Sequence, residues 1–535
     1  MERLIESNKL KEQRKMNKTM RQHSFASRLK SLALAFGITL AFASCANEEI
    51  AQNPNGKDYD ANLTTFSTGD PTTRTSMESN GTFYWESGDK IWVKDDNGAW
   101  QQSSNAPTEK TASFKFKVPG KFTKGNTYKV YYPGKNGNKD QVSIAANQSQ
   151  AEPNTTAHFG TAGDCGMADA AWSNAKNGFA FTLDHKAAYL LFLPRTSNTI
   201  LQGCYLTKVE VNSDNDITST YTLDPTTGEL TGTGTGNQII VSTGGSGTYA
   251  NGFPLSAATN GAYVVIKPGT HILKIRYWVK DVATGIEGTI TKTLPSASYD
   301  QNKYYNITAN LDVRVYDGDK YYMWDAQEQY WKGHEWNLGG SQPTLSQGLT
   351  GATTSNDYAK SNADSRYWNE YYPGYGVSNP ATHTSCKDLP NVNEMTWYAA
   401  KGEPRWDGDE LWTTMGHLYK GGMWLKKKAN ISGFDANKAV DGSDWRTNAG
   451  GNTWSVSQTL PDAADANNYF YLPALGCYGS GQLIGVGGNG SGWYWSSSAY
   501  SGLTFTAYSL IIYRGGVYVG SGPRYNGFWA EALFE

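Results

Sequence analysis

Charge is scarce in this chain. Only 18% of its 535 residues are Asp, Glu, Lys or Arg, and they nearly cancel to a formal −2, with a pI of about 6.4. Such a balance offers no basic surface to a nucleic acid. Cysteine is scarcer, at five, with no Cys-x-x-Cys pair and no zinc spacing. The sequence has no HExxH, GxSxG, phosphate-binding P-loop or dinucleotide fingerprint. His334-Glu335 lacks a second His at the metalloprotease spacing. Asp407-Gly408-Asp409-Glu410 lacks the ligand pattern of a calcium loop and reads as a solvated turn. Lys426-Lys427-Lys428 reads as a solvated face and Glu152-Pro153-Asn154 as a turn. These absences lead us to expect a chain that is not an enzyme and needs no cofactor or metal.

One absence is local. From Ser496 to Phe528 there is no Lys, Glu, Gln, Met or Trp, the five residues that no codon ending in a pyrimidine can encode. Lys and Glu are depleted in strands for physical reasons, so a β-hairpin accounts for part of this. Two alternating runs do lie there. Tyr508–Tyr513 places Tyr508, Leu510 and Ile512 on one face and Ser509, Ile511 and Tyr513 on the other. Val517–Val519 follows after Arg514-Gly515-Gly516, with Tyr518 opposite the valines. A period of two predicts strands with one buried face, and the Gly-Gly suits a hairpin. The other face carries Tyr, Ser and Gly, the mixture of antibody-type contact surfaces.

What is abundant is Gly (58), Tyr (34) and Trp (18), which points to β-rich, aromatic-rich secreted domains. Arg21, Arg28 and Lys30 precede an apolar core at Leu32–Ala43, long enough for a secretory signal and short for a membrane span. It ends in Ala41-Phe42-Ala43-Ser44-Cys45, which resembles a bacterial lipobox with Cys45 as the lipidated first residue. Met16 or Met20 would then serve as the start. Asn47-Glu48-Glu49 resembles the acidic tag that carries Bacteroidales lipoproteins to the outer surface of the outer membrane. Residues 1–45 are thus read as signal peptide and 46–65 as a polar tether.

From Phe66 the pattern becomes short strands separated by Gly, Asn and Asp: Thr82–Trp85, Lys90–Lys94, Ala112–Val118, Tyr128–Tyr132, Phe179–Leu183 and Ala187–Leu193. A second block runs from Lys208–Val211 through Ser219–Leu223, Gln238–Val241, Tyr263–Lys267, His271–Val279 and Gly288–Thr293 to Tyr304–Val313. Such spacing predicts β-sandwiches, here 66–196 and 197–313. Thr73-Arg74-Thr75, the Tyr84–Ile91 run YWESGDKI, Leu183-Asp184-His185-Lys186-Ala187-Ala188 and the closing Tyr304–Leu311 run resemble the fimbrillin-like pilins and tip subunits of Bacteroidales. That resemblance implies transthyretin-like β-sandwiches, pilin-subunit partners, and processing by an Arg-directed protease, for which Arg74 is the candidate.

Composition shifts near Val313–Gly318: five of the 18 Trp precede residue 313 and thirteen follow it. The 314–535 segment contains the Cys386–Asn391 run CKDLPN, then Glu394-Met395-Thr396-Trp397-Tyr398 and the Gly402–Lys428 run. Tyr471–Gly476, Trp495-Ser496-Ser497-Ser498 and Arg524-Tyr525-Asn526-Gly527-Phe528 complete the set. In this order they resemble the C-type-lectin-fold domains of variable proteins diversified by retroelements, although Trp529-Ala530-Glu531 departs from the Val-Arg common there. The resemblance implies an α+β domain whose gene is rewritten at template adenines, turning Asn codons into others ending in a pyrimidine. It implies fixed framework residues at Trp495, Ala507, Tyr508, Leu510, Val517, Val519, Arg524, Gly527 and Phe528. The rewritten, outward, ligand-contacting positions would be Leu503, Phe505, Ser509, Ile511, Tyr513, Gly516, Tyr518, Gly520, Ser521, Gly522, Pro523, Tyr525 and Asn526. A formylglycine-generating oxidase shares that fold but needs paired active-site cysteines.

Cys165, Cys204, Cys386 and Cys477 remain. In an exported chain they permit two disulfides, Cys165–Cys204 and Cys386–Cys477, or four buried thiols. The expectation is therefore a surface lipoprotein adhesin at a pilus tip, binding a host, phage or microbial molecule. The alternatives are a fixed-specificity glycan-binding lipoprotein and a structural pilin.

Overall fold

The computed structural model describes residues 62–68, 76–77, 83–345, 354–370 and 379–535, which belong to one contact-dense unit, Asn62–Glu535. Cys45, Arg74, the signal segment and most of the tether lie outside the described residues. The chain is mostly β and builds three successive hydrophobic cores.

The first core forms around alternating apolar residues. Phe66, Trp85, Phe116, Val130 and Phe179 are fully buried, and Trp85 meets Phe116 and Tyr132 edge-on at 5.0 and 5.5 Å. The Tyr84–Ile91 motif has a physical reason. Asp89, itself buried, accepts hydrogen bonds from the Glu86 N–H at 2.7 Å and the Tyr132 hydroxyl at 2.9 Å, while Gly88 takes the positive φ of the turn. One strand, Gly166–Ser173, pairs first with Tyr128–Tyr132 and then with Gly178–Phe181, carrying the chain between the two halves of the sheet.

The middle core lies between a three-stranded sheet (Ala262–Ile266, Ala188–Arg195, Tyr304–Asn310) and a larger one containing Asn147–Gln150, Gln238–Thr243, Tyr205–Ser213, Gly269–Lys280 and Glu287–Tyr299. Two of these strands come from the 66–196 stretch. Ala188–Arg195 pairs with both of its neighbours, and Asn147–Gln150 runs parallel to Gln238–Thr243. The hydrophobic cores therefore do not divide at 196/197. Periodicity identifies strands, but pairing partners are set by tertiary packing.

The C-terminal core packs a helix, Val392–Lys401, against strands. Asn391 caps it, accepting from the N–H groups of Asn393 and Glu394 while Glu394 accepts from the Asn391 N–H. Val392, Met395, Tyr398 and Ala399 fall on its buried face. A sheet follows in the order Tyr321–Tyr322, Phe528–Trp529, Ser491–Ala499, Thr506–Tyr513, Gly516–Pro523, Asn452–Trp454. The hairpin Arg405–Thr414/His417–Lys426, with Tyr469–Pro473, extends the middle core's large sheet through one parallel bridge, Thr289 to Glu410. Leu411 and Leu418 reach into the middle core.

That junction overturns the solvated turn expected at 407–410. Asp407 and Glu410 are buried inside a strand. Asp407 pairs with Arg276 at 2.9 Å and accepts from the Trp424 indole at 3.1 Å. Glu410 accepts from both Thr289 and Thr291, and burial plus the adjacent Asp407 carboxylate push its pKa up to about 7. Acidic residues alternating with Gly look like a turn when their partners sit more than 100 positions away. The Lys426–Lys428 run is solvated toward Lys428, as expected, and its side chains pair with Glu403, Glu535 and Glu394.

Candidate ligand-binding face

Three adjacent strands present the candidate site: Ser491–Ala499, Thr506–Tyr513 and Gly516–Pro523. One face belongs to the core. Tyr494, Tyr508, Leu510, Ile512, Val517 and Val519 are buried there. The Tyr508 hydroxyl donates to the Trp445 carbonyl at 2.9 Å and accepts from the Gly450 N–H at 2.9 Å, and burial pushes its pKa up to about 12.

The motifs at both ends of this sheet are joints. Trp495 donates its indole N–H to the Tyr322 carbonyl at 2.8 Å and stacks on Phe528 at 4.1 Å. Ser498 Oγ accepts the first helical N–H, that of Val392, at 3.1 Å. Arg524 is buried, donates from Nε to the Thr506 carbonyl at 2.9 Å, and lays its guanidinium 4.5 Å over the Trp324 ring. Gly527 must be small, because a Cβ there would stand 2.7 Å from the Tyr330 ring.

The expected outward positions divide. Leu503, Phe505, Tyr513 and Tyr525 are exposed by 36–48%, and they are four of the nine exposed large hydrophobics among the described residues. Tyr518, Ser521, Pro523 and Asn526 are half-buried. Ser509, Ile511, Gly516, Gly520 and Gly522 are buried, against expectation. The reason is a second layer. Trp495, Phe528 and Ala507 form a further apolar cluster with Trp324 and Cys386 on that face, and a Cβ on Gly522 would stand 2.7 Å from the Phe528 ring. Period two marks two faces without saying what covers the second. Near the hairpin the glycines lie under rings. A Cβ at Gly516 would fall 2.9 Å from Tyr513 Oη, and one at Gly520 would fall 2.0 Å from Tyr518 Oη.

The exposed residues also lie at opposite ends. Thr506 pairs with Pro523 and Tyr513 with Gly516, seven residue steps apart, which is about 24 Å at roughly 3.4 Å per step. Phe505, joined to Arg524 by an N–H···O bond of 2.9 Å, and Leu503 cluster at one end beside Tyr525. Tyr513 sits at the other end, at the Arg514-Gly515 turn, with Tyr518 next to it. Between them runs a cross-strand row in which the expected Ile511 and Tyr518 are flanked by two residues not expected there: Trp493 lies opposite Ile511, Ile511 opposite Tyr518, and Tyr518 opposite the exposed Thr453. The alternation Ser491, Trp493, Trp495 was the signal for it.

All four described cysteines are free and buried, which overturns the two-disulfide option. Burial pushes Cys204, Cys386 and Cys477 up to about 12. Glu152-Pro153-Asn154 lies in a turn, where Asn154 accepts the Gly261 N–H. Among the described residues, no group of three or more His, Cys, Asp or Glu side chains is placed to hold a metal, and no helix is long and apolar enough to cross a membrane.

No protein-family model matches the chain, and no curated protein matches it. Solved structures do. A candidate cell adhesion protein of Bacteroides ovatus aligns at 16% identity over 46% of this chain and 93% of its own, with a TM-score of 0.31. One from Bacteroides uniformis aligns at 17% identity over 46% and 92%, with a TM-score of 0.26. The fimbrial anchor protein Mfa2 of Porphyromonas gingivalis aligns at 11% identity over 43% and 82%, with a TM-score of 0.22.

Proposed function

We propose that this chain is a surface lipoprotein adhesin, tethered to the outer membrane through Cys45 and displayed at a pilus tip. Its C-terminal sheet, with a C-type-lectin-like fold, binds a host, phage or microbial surface molecule. The observation that carries the reading is the division of Leu503–Asn526. Apolar side chains are exposed at both ends of a strand pair whose other face is sealed in the core, and the segment is written entirely in residues reachable by pyrimidine-ending codons. A retroelement rewriting such codons would change contacts without changing the core. Tyr513 with Tyr518 at the hairpin end, and Leu503, Phe505 and Tyr525 at the other, supply rigid apolar anchors of the kind that dominate binding energy.

Recognition rather than catalysis is the role the thiols favour, since a thiol held near 12 supplies almost no thiolate at neutral pH. One observation favours a fixed-specificity glycan-binding role instead: Trp493, a ring at the centre of the face and outside the rewritten window.

Deep sequencing of the gene's 3′ end in a population grown from one cell, with a retroelement reverse transcriptase supplied, separates the two. Substitutions confined to codons between Leu503 and Asn526, with Trp495, Leu510 and Phe528 constant, support diversification. A uniform 3′ end under those conditions overturns it and leaves the fixed-specificity role.

A further inference from the structure

Beside the hairpin turn, on the side facing the middle core, the structure has a cleft of ≈ 530 Å³. That lies within the roughly 300–1,000 Å³ of small-molecule sites. Its lining is unlike most such sites because it is nearly all polar. Trp406, Asp409, Lys420, Gln458, Asn489 and Arg514 surround it, with Leu460 the only aliphatic side chain. Arg276 and Asp407 form its inner wall.

The charges in this lining are largely spent on one another. Lys420 pairs with Asp409 at 3.1 Å and Arg276 with Asp407 at 2.9 Å. Several hydrogen-bonding groups are not spent. The Asn489 amide and Arg514 guanidinium make no hydrogen bond among the described residues, and the Gln458 amide uses one N–H on the Arg514 carbonyl. Arg276 is more than nine-tenths buried, and its Nε has no hydrogen-bond partner among the described residues. The backbone is open to close approach at Gly488, which carries a positive φ with nothing near its missing side chain.

A ligand for this cleft must offer donors and acceptors over its whole surface and need bring no charge of its own, because two opposed pairs cancel and the one charge left over, on Arg514, is solvent-exposed. It must also tolerate a site with little apolar wall beyond Trp406 and Leu460. We propose that the cleft binds a neutral saccharide unit, its vicinal hydroxyls donating to the Asp409 carboxylate and accepting from Asn489, Gln458 and Arg514. Of the named contacts only Arg514 lies between Leu503 and Asn526, and it is not one of the rewritten positions. Trp406, Asp409, Lys420, Gln458 and Asn489 stay constant whatever the neighbouring Tyr513 becomes.

The test is saturation-transfer NMR on the full chain with the methyl glycosides of mannose, galactose, glucose and N-acetylglucosamine. Each is supplied at about 10 mM, above the ~1 mM dissociation constant that corresponds to roughly 4 kcal/mol of binding. Transfer to at least one glycoside is expected. It should fall five-fold or more in Asp409→Asn and in Asn489→Ala, and persist in Leu338→Ser, an exposed position away from the lining. Absence of transfer to every neutral glycoside overturns the proposal. So does transfer to N-acetylneuraminic acid alone, or transfer unchanged in both cleft variants.

Discussion

The guanidinium of Arg276 and the carboxylate of Asp407 meet at 2.9 Å in an ion pair that joins the middle core to the C-terminal one. Both residues are more than nine-tenths buried, and each has further work: Arg276 donates to Thr289 at 3.0 Å, and Asp407 accepts from Trp424. Removing one partner leaves the other a largely buried charge without its counter-ion. Asp407→Ala or Arg276→Ala should therefore cost about 3–5 kcal/mol. The double replacement Arg276→Met with Asp407→Leu should cost less than either. Urea unfolding followed by tryptophan fluorescence checks the cycle, and a double variant as unstable as the sum of the singles would show that the two do not act together.

Glu410 makes the junction sensitive to pH. Its folded pKa of about 7 lies above the ordinary 4.5, so between these values the folded chain holds a proton that the unfolded chain has released. Stability from this group is full below about 4.5, falls as pH rises through 7, and is level above. Glu410→Gln removes that dependence. The stability difference between wild type and Glu410→Gln should accordingly shift against wild type from pH 5 to pH 8. A constant difference would place Glu410 outside the titration.

Two glycines of one motif region should behave oppositely. At Gly527 a new Cβ meets the buried Tyr330 ring at 2.7 Å and Tyr478 Cβ at 3.0 Å. Gly527→Ala should cost about 1–3 kcal/mol through overpacking. At Gly520 the obstacle is the far end of Tyr518, which can swing outward. Gly520→Ala should leave the unfolding midpoint nearly unchanged and raise the rate of Tyr518 nitration, read by peptide mass spectrometry.

The thiols give a fourth check. Cys165, Cys204, Cys386 and Cys477 are buried and free. In the native chain they should resist a thiol reagent, and all four should react once it is unfolded in denaturant without reductant. Recovery of a Cys386–Cys477 bridged peptide would contradict the structure.

Much of the strand content was legible. Tyr128–Tyr132 is a strand over the predicted span, and the two C-terminal alternating runs pair in register. Short-range periodicity and turn residues carry that information. Long-range information was not legible. Nothing near Ala188–Arg195 announces that it completes the middle core, and nothing near Asp407 announces Arg276, 131 positions earlier. The candidate site was half legible for the same reason. Leu503, Phe505, Tyr513 and Tyr525 are exposed, but the aromatic layer that buries Ser509 and Gly522 comes partly from Trp324 and Phe528, on other strands and loops.

That layer has an evolutionary consequence. Ser509 and Gly522 share the outer face with Tyr513 and Gly516, yet mutational freedom along this face is graded. Beside Phe528 and Trp495 any larger side chain competes with packed rings, so selection for folding restricts the choice to small residues. Toward the Arg514-Gly515 turn the rings, Tyr513 and Tyr518, belong to the variable set itself and can move aside, leaving the Trp454 carbonyl, 3.0 Å from a Cβ on Gly516, as the fixed obstacle there. A repertoire drawn from this scaffold would be narrow at one end of the strand pair and broad at the other. Its diversity would then reflect the shape of the fold as much as the mechanism that generates it.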